Sequence, residues 1–106
     1  MAASRSTVDK DAAHELELYA ENDSRLYNQK KSIIANLIKK HQKGKYDPKA
    51  APKLWAYWVE AAAKLYAKEF SRGSEWNLLF NKATRDHLAK ELAESYYPQI
   101  SQGEAG

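Results

Sequence analysis

The chain has no cysteine, which excludes a disulfide-stapled scaffold, a cysteine-ligated zinc site and a thiol nucleophile. β-Branched residues are scarce, with four Ile, two Val and two Thr, so the vocabulary of strands is nearly missing. Glycine and proline number four and three and fall between periodic segments or near the C-terminus; no flexible linker, internal repeat or low-complexity tract is present. No apolar run approaches the roughly 20 residues of a membrane span. Met1 to Ser6 leads into acidic sequence rather than the apolar core of a secretory signal. These absences predict a soluble, intracellular, all-α protein.

What is present fits one small domain covering residues 1–106, because two domains would leave about 50 residues per core. Hydrophobic residues make up 43% of the chain but include 17 alanines, and Leu, Ile, Val and Phe together number only 18. Twelve aromatics and a net charge of only +3 offset that deficit and argue for a folded chain over a disordered one.

Periodicity predicts a bundle of four helices, at about 9–22, 24–43, 48–70 and 82–97, with 1–6 and 99–106 frayed. Ser6 or Thr7 is the candidate N-cap of the first helix. Asp23 or Ser24 can cap the second, which Gly44 ends. Leu26, Tyr27, Ile33, Ile34, Leu37, Ile38 and His41 form one apolar stripe on that second helix. Lys30 falls inside the stripe, and antiparallel packing of the first two helices would give it Glu17 or Glu21 as a partner.

Asp47-Pro48 reads as an N-cap and first helical position, while Pro52 implies either a kink or a later start. Leu54, Trp55, Trp58, Val59, Ala62, Leu65, Tyr66 and Phe70 mark the third helix as the core of the molecule. Glu75 to Phe80 reads as one tight turn anchored by Trp76, and Asn81 as the cap of the last helix. There Leu88, Leu92 and Tyr96 recur every four residues until Pro98 ends the pattern.

Charge is segregated. Residues 1–23 carry −4, residues 24–53 carry +8 and residues 54–106 carry −1. Within the basic block, Lys31, Lys39, Lys40, Lys43 and Lys45 are candidate nucleic-acid contacts, able to neutralise phosphates in a salt-sensitive and largely sequence-independent way. The plainer alternative is a solvated helix face with cations at the negative end of the helix dipole. Eight of the nine basic residues there are Lys, whereas bidentate phosphate and base recognition favour Arg.

Three Trp and seven Tyr exceed what a small helical core needs. Tyr57 projects from the face opposite the core stripe, beside Lys53, Glu60, Lys64 and Lys68. With Trp76, Tyr96 and Tyr97 it forms the set of candidate protein-interface residues, and dimerisation is an economical way for so short a chain to bury them. No Gly-rich phosphate loop or recognisable catalytic triad occurs. His14 with Glu17 and Glu21, and His87 with Glu91 and Glu94, run in the order His-x-x-Glu, the reverse of the bundle di-metal motif. The expectation is therefore a non-enzymatic protein with no catalytic residue, metal or cofactor.

The run His14-Glu15-Leu16-Glu17-Leu18-Tyr19, then Glu21-Asn22-Asp23, Leu26-Tyr27, Gln29, Lys43-Gly44-Lys45-Tyr46-Asp47-Pro48, Lys53-Leu54-Trp55 and Ala63 to Phe70 resembles small helical proteins of bacteriophage genomes, over about residues 13–93. That family has no assigned activity, so the resemblance implies a phage-type origin and a host-cytoplasm setting and transfers no site residue. Pro52 departs from its pattern, which has an aliphatic residue there. The function expected from the sequence is an accessory or protein-interaction module, dimeric or bound to a protein partner; the alternative is nucleic-acid binding through the basic second helix and the loop after it.

Overall fold

Side-chain caps account for where three of the four long helices begin. The computed structural model describes residues 7–103, and among them are five α-helices and no strand: α1 (Lys10–Glu21), α2 (Ser24–Gln42), α3 (Ala51–Glu69), α4 (Trp76–Leu79) and α5 (Lys82–Gln102). A 3₁₀ turn, Gly73–Glu75, leads into α4. Four helices were expected. The fifth is the predicted tight turn around Trp76, regular enough over four residues to count as α-helix.

Asp9, not Ser6 or Thr7, caps α1. Its carboxylate accepts from the Ala12 amide at 3.0 Å, as an acid in extended backbone at a helix start does well. Thr7 instead offers its carbonyl to Asn81 Nδ2 at 2.9 Å; Ser6, the predicted fraying of 1–6 and residues 104–106 lie outside the described residues. Asp23 caps α2, accepting from the Arg25 and Leu26 amides at 2.9 and 3.1 Å. The Arg25 guanidinium first, and the bond from the Leu26 amide second, hold its carboxyl below the ordinary range. Gly44, at φ +70°, supplies the left-handed residue just after α2.

The third helix starts later than 48. Asp47 accepts from the Lys49 amide at 2.9 Å through its side chain and from the Ala50 and Ala51 amides through its carbonyl. The result is a turn, and α3 opens at Ala51 with Pro52 in its first turn, where a missing amide hydrogen leaves nothing unpaired. The last helix ends later than 97. Pro98 removes only the bond to the Glu94 carbonyl, and both residues are exposed. Ile100, buried to 1% exposure, holds the following turn in place, so residues 99–102 are helical. Gly103, at φ +74°, closes α5.

The order of contacts along α5 shows that α1 and α2 do not form an antiparallel hairpin. The Asp9 amide donates to Thr84 Oγ1 at 3.0 Å, Glu17 shares a groove with Glu91, Lys30 meets Tyr96 and Gln42 lies by Gly103. Helices α1 and α2 thus follow one another as a broken rod parallel to α5, while α3 runs antiparallel to both and packs most extensively on α5. Buried Ala62, Ala63, Ala89 and Ala93 allow that close approach.

Lys30 accordingly does not meet the carboxylate expected for it. It is 8% exposed, yet its Nζ donates to Tyr96 Oη at 3.0 Å and lies 5.1 and 5.3 Å from the Tyr27 and Tyr96 ring centres. The end-to-end arrangement keeps Glu17 and Glu21 beyond ion-pair distance, so ring faces and a phenol solvate the ammonium instead.

Trp55, Trp58, Val59 and Ala62 form the expected centre. Trp58 Nε1 donates to the Leu26 carbonyl at 2.9 Å, and Trp55 sits edge-on to Trp58 and stacked on Tyr96 at 5.9 and 5.3 Å. Phe70 is another correction: it is 54% exposed, because α3 ends as it passes the edge of the core. Phe80 fills the core there, buried and edge-on to Tyr66 at 5.1 Å. Tyr19 closes the same end; burial and donation to the Glu69 carboxylate push its hydroxyl pKa up to about 12. Among the described residues, no helix is long and apolar enough to cross a membrane.

Candidate nucleic-acid and partner-binding surfaces

All five candidate lysines are exposed. Among the described residues the ion pairs are Arg25–Asp23, Lys64–Glu60, Arg85–Glu60, Arg72–Glu75, Lys82–Asp86 and, when the imidazole is protonated, His87–Glu91. None of them uses Lys31, Lys39, Lys40, Lys43 or Lys45. Glu60, Glu75 and Asp86 are taken by Lys64, Arg72, Lys82 and Arg85, all outside the +8 segment, so that segment keeps most of its charge for solvent or a ligand.

The fold brings only some of these lysines together. Lys40 and Lys45 line a shallow groove of about 240 Å³ with Leu54 and Tyr57, where the end of α2 meets the start of α3. Asp47 is in the same groove, its carboxylate accepting from the Lys49 amide. Lys39, on the outward face of α2, and Lys43, the residue that ends it, stand one turn apart. Lys31 lies two turns earlier and towards α5, 5.5 Å from the Tyr27 ring centre.

Of the candidate aromatics, Tyr57 is the most open, at 77% exposure. It forms a ridge between the groove just described and a second one of about 290 Å³, shared with Lys53, Glu60, Lys82 and Arg85. Trp76 is half-buried, and Lys64 Nζ and Arg85 Cζ lie 4.9 and 4.8 Å from its ring centre. Cations already occupy the space around this ring. Tyr96 is engaged inside the molecule, its ring by Trp55 and its hydroxyl by Lys30.

Tyr97 lines a separate, largely apolar groove of about 560 Å³ with Tyr46, Pro48, Pro52, Lys90, Ala93 and Glu94. Its ring centre is 5.4 Å from Tyr46 and 5.9 Å from His41, and its hydroxyl is 3.5 Å from His41 Nε2, at the outer limit of a hydrogen bond. The four aromatics therefore do not make one apolar patch. One joins the lysines, one is flanked by cations, one is structural and one belongs to a different groove.

The acidic seam between α1 and α5 holds the histidine and glutamate series. Glu17, Glu91 and Glu94 share a groove, and His87 Nε2 is 3.3 Å from Glu91. Burial first, and the Glu21 and Glu91 carboxylates second, raise the Glu17 pKa above its ordinary value, while His14 and Lys30 pull it partly back. Among the described residues no three His, Asp or Glu side chains are gathered closely enough to hold a metal ion.

Comparison with protein-family models, curated proteins and solved structures finds no match to this chain.

Sequence reasoning missed Arg85 and Lys82 as neighbours of Tyr57, and Tyr46, Pro48 and Pro52 as neighbours of Tyr97. Lys53 was visible as the residue one turn before Tyr57. The α5 residues lie more than 20 positions away, and only the antiparallel packing of α3 on α5 makes them neighbours. Leu78, 78% exposed, was likewise hidden, because a four-residue helix has no periodicity to read.

Proposed function

We propose that the protein is a non-enzymatic accessory protein that binds nucleic-acid backbones at the α2–α3 elbow. The observation that carries this reading is the groove in which Lys40 and Lys45, both free of carboxylate partners among the described residues, meet the exposed ring of Tyr57. Lys53, exposed on the other flank of Tyr57, adds to the positive surface. Lysine ammonium groups of this kind act as point charges on phosphate, giving affinity without sequence preference. The setting is cytoplasmic, the host's if the chain is phage-encoded.

The test is fluorescence anisotropy with labelled thymidine homopolymer and labelled mixed-sequence duplex over a salt series. Wild type is compared with Lys40→Glu, Lys45→Glu and Lys53→Glu combined. Affinity that falls steeply with salt, with a log–log slope of about −0.7 to −0.9 per phosphate neutralised, and that disappears in the folded triple variant is the expected result. No binding at low salt removes the proposal.

A second reading, self-association through the Tyr97 groove, is favoured by its apolar lining and by the 42% exposure of Tyr97. Sedimentation equilibrium of wild type and Tyr97→Asp tests it: a dimer that the substitution dissociates supports it, and a monomer at all concentrations rejects it.

A further inference from the structure

We infer that the elbow surface selects single-stranded over double-stranded nucleic acid, with Tyr57 as the platform on which an unpaired base stacks; this deepens the proposed function and rests on it. Stacking needs an accessible aromatic face next to cations that follow the backbone on either side of it. Tyr57 is the most exposed aromatic among the described residues, and lysines line both grooves that it borders.

Its side chain is 77% exposed and makes no hydrogen bond or ring contact among the described residues. Trp76, the other aromatic on this side of the molecule, has Lys64 and Arg85 against its ring, so a base would have to displace a cation to reach it. Lys40 and Lys45 flank Tyr57 on one side, Lys53 and Lys82 on the other. A strand crossing the ridge would meet ammonium groups before and after the ring.

On the near flank Asp47 is one carboxylate against two lysines and accepts from a backbone amide. On the other, Glu60 pairs with Lys64 and Arg85, and Asp86 pairs with Lys82 at 2.6 Å. A phosphate on that flank would compete with Asp86 for Lys82, whereas Lys53 is in no ion pair among the described residues. A duplex keeps its bases stacked internally and offers the ridge only its outer backbone. The exposed Tyr57 ring then adds little and holds the phosphates away from the two grooves.

The experiment measures wild type, Tyr57→Ala and Tyr57→Phe against labelled thymidine homopolymer, uridine homopolymer and a blunt duplex at one low salt concentration. Circular dichroism checks that each variant is folded. Wild type is expected to bind both homopolymers about ten-fold or more tightly than duplex. Tyr57→Ala should weaken the homopolymers by about ten-fold, within the range of one base–aromatic stack, and leave duplex affinity unchanged. Tyr57→Phe, which keeps the ring, should behave as wild type.

The inference is overturned if Tyr57→Ala leaves homopolymer affinity within two-fold, or weakens homopolymer and duplex equally. In either case salt-dependent binding still stands, and with it the proposed function. Absence of binding to all three probes removes both.

Discussion

Trp55 and Tyr57 are two residues apart on α3, yet one is fully buried and the other is 77% exposed. At about 100° per residue, two positions turn a side chain by more than half the helix circumference, so the inner face carries Trp55, Trp58, Val59 and Ala62 and the outer face Lys53, Tyr57, Glu60 and Lys64. The inner face is closed against α1, α2 and α5. The outer face has Lys82, Arg85 and Trp76 beside it and, among the described residues, no helix over it. Aromatic character alone therefore does not identify a contact residue; angular position on the helix separates the ring that builds the core from the ring left for a partner.

The largest effect should come from the inner face. Trp55→Ala is expected to cost about 3–5 kcal/mol, the range for emptying a large buried aromatic site, and so to consume much of a small domain's stability. Trp55→Phe should cost much less. It keeps most of the ring and removes an indole N–H that has no acceptor among the described residues. Chemical denaturation measures both.

Next in size is Thr84→Val, about 1–2 kcal/mol, because it leaves the Asp9 amide without the hydroxyl it donates to. Equilibrium urea unfolding checks this, and the destabilisation should be accompanied by faster hydrogen exchange in the first turn of α1.

Smaller still is Glu17→Gln, whose effect depends on pH. The folded-state pKa of Glu17 lies above its ordinary 4.5, so the folded protein binds that proton more tightly than the unfolded chain does. The cost of ionising it is fully present above the folded pKa and is relieved as pH falls through that pKa towards 4.5. Glu17→Gln should be more stable than wild type at neutral pH, with the difference closing below pH 4.5. Partial exposure keeps the difference small; thermal melts from neutrality to below pH 4.5 measure it.

The smallest stability effect belongs to the outer face. Tyr57→Ala should change unfolding free energy by no more than about 0.5 kcal/mol, read by the same urea titration, in contrast to the several kcal/mol of Trp55→Ala.

Much of the fold was legible because α-helices announce themselves through local signals. The apolar stripe of α2, the core series from Leu54 to Tyr66, and the Asp23 and Asn81 caps all follow from residues within one or two turns of each other. Errors arose where a distant partner decided the outcome. Pro98 is a local stop signal, but Ile100, buried against other helices, keeps α5 going past it. Asn22 and Asp23 are too few to show whether two helices fold back or continue in line, and that choice determined whether Lys30 met a carboxylate or Tyr96.

The candidate surface was half legible for the same reason. Tyr57 and Lys53 share a helix face that the sequence displays, whereas Lys40 and Lys45 join them only because α3 runs antiparallel to α2. The structure also separates lysines that looked equivalent in one dimension, grouping Lys40 with Lys45 and setting Lys31 apart on another side of the helix.

The most direct test of a functional outer face is an amide chemical-shift titration of the ¹⁵N-labelled protein with thymidine homopolymer. The expected shifts cluster at residues 39–45 and at Lys53 and Tyr57 on α3, with the α1–α5 acidic seam unmoved. Shifts centred on Tyr46, Lys90 and Tyr97, or no shifts at low salt, would contradict the account.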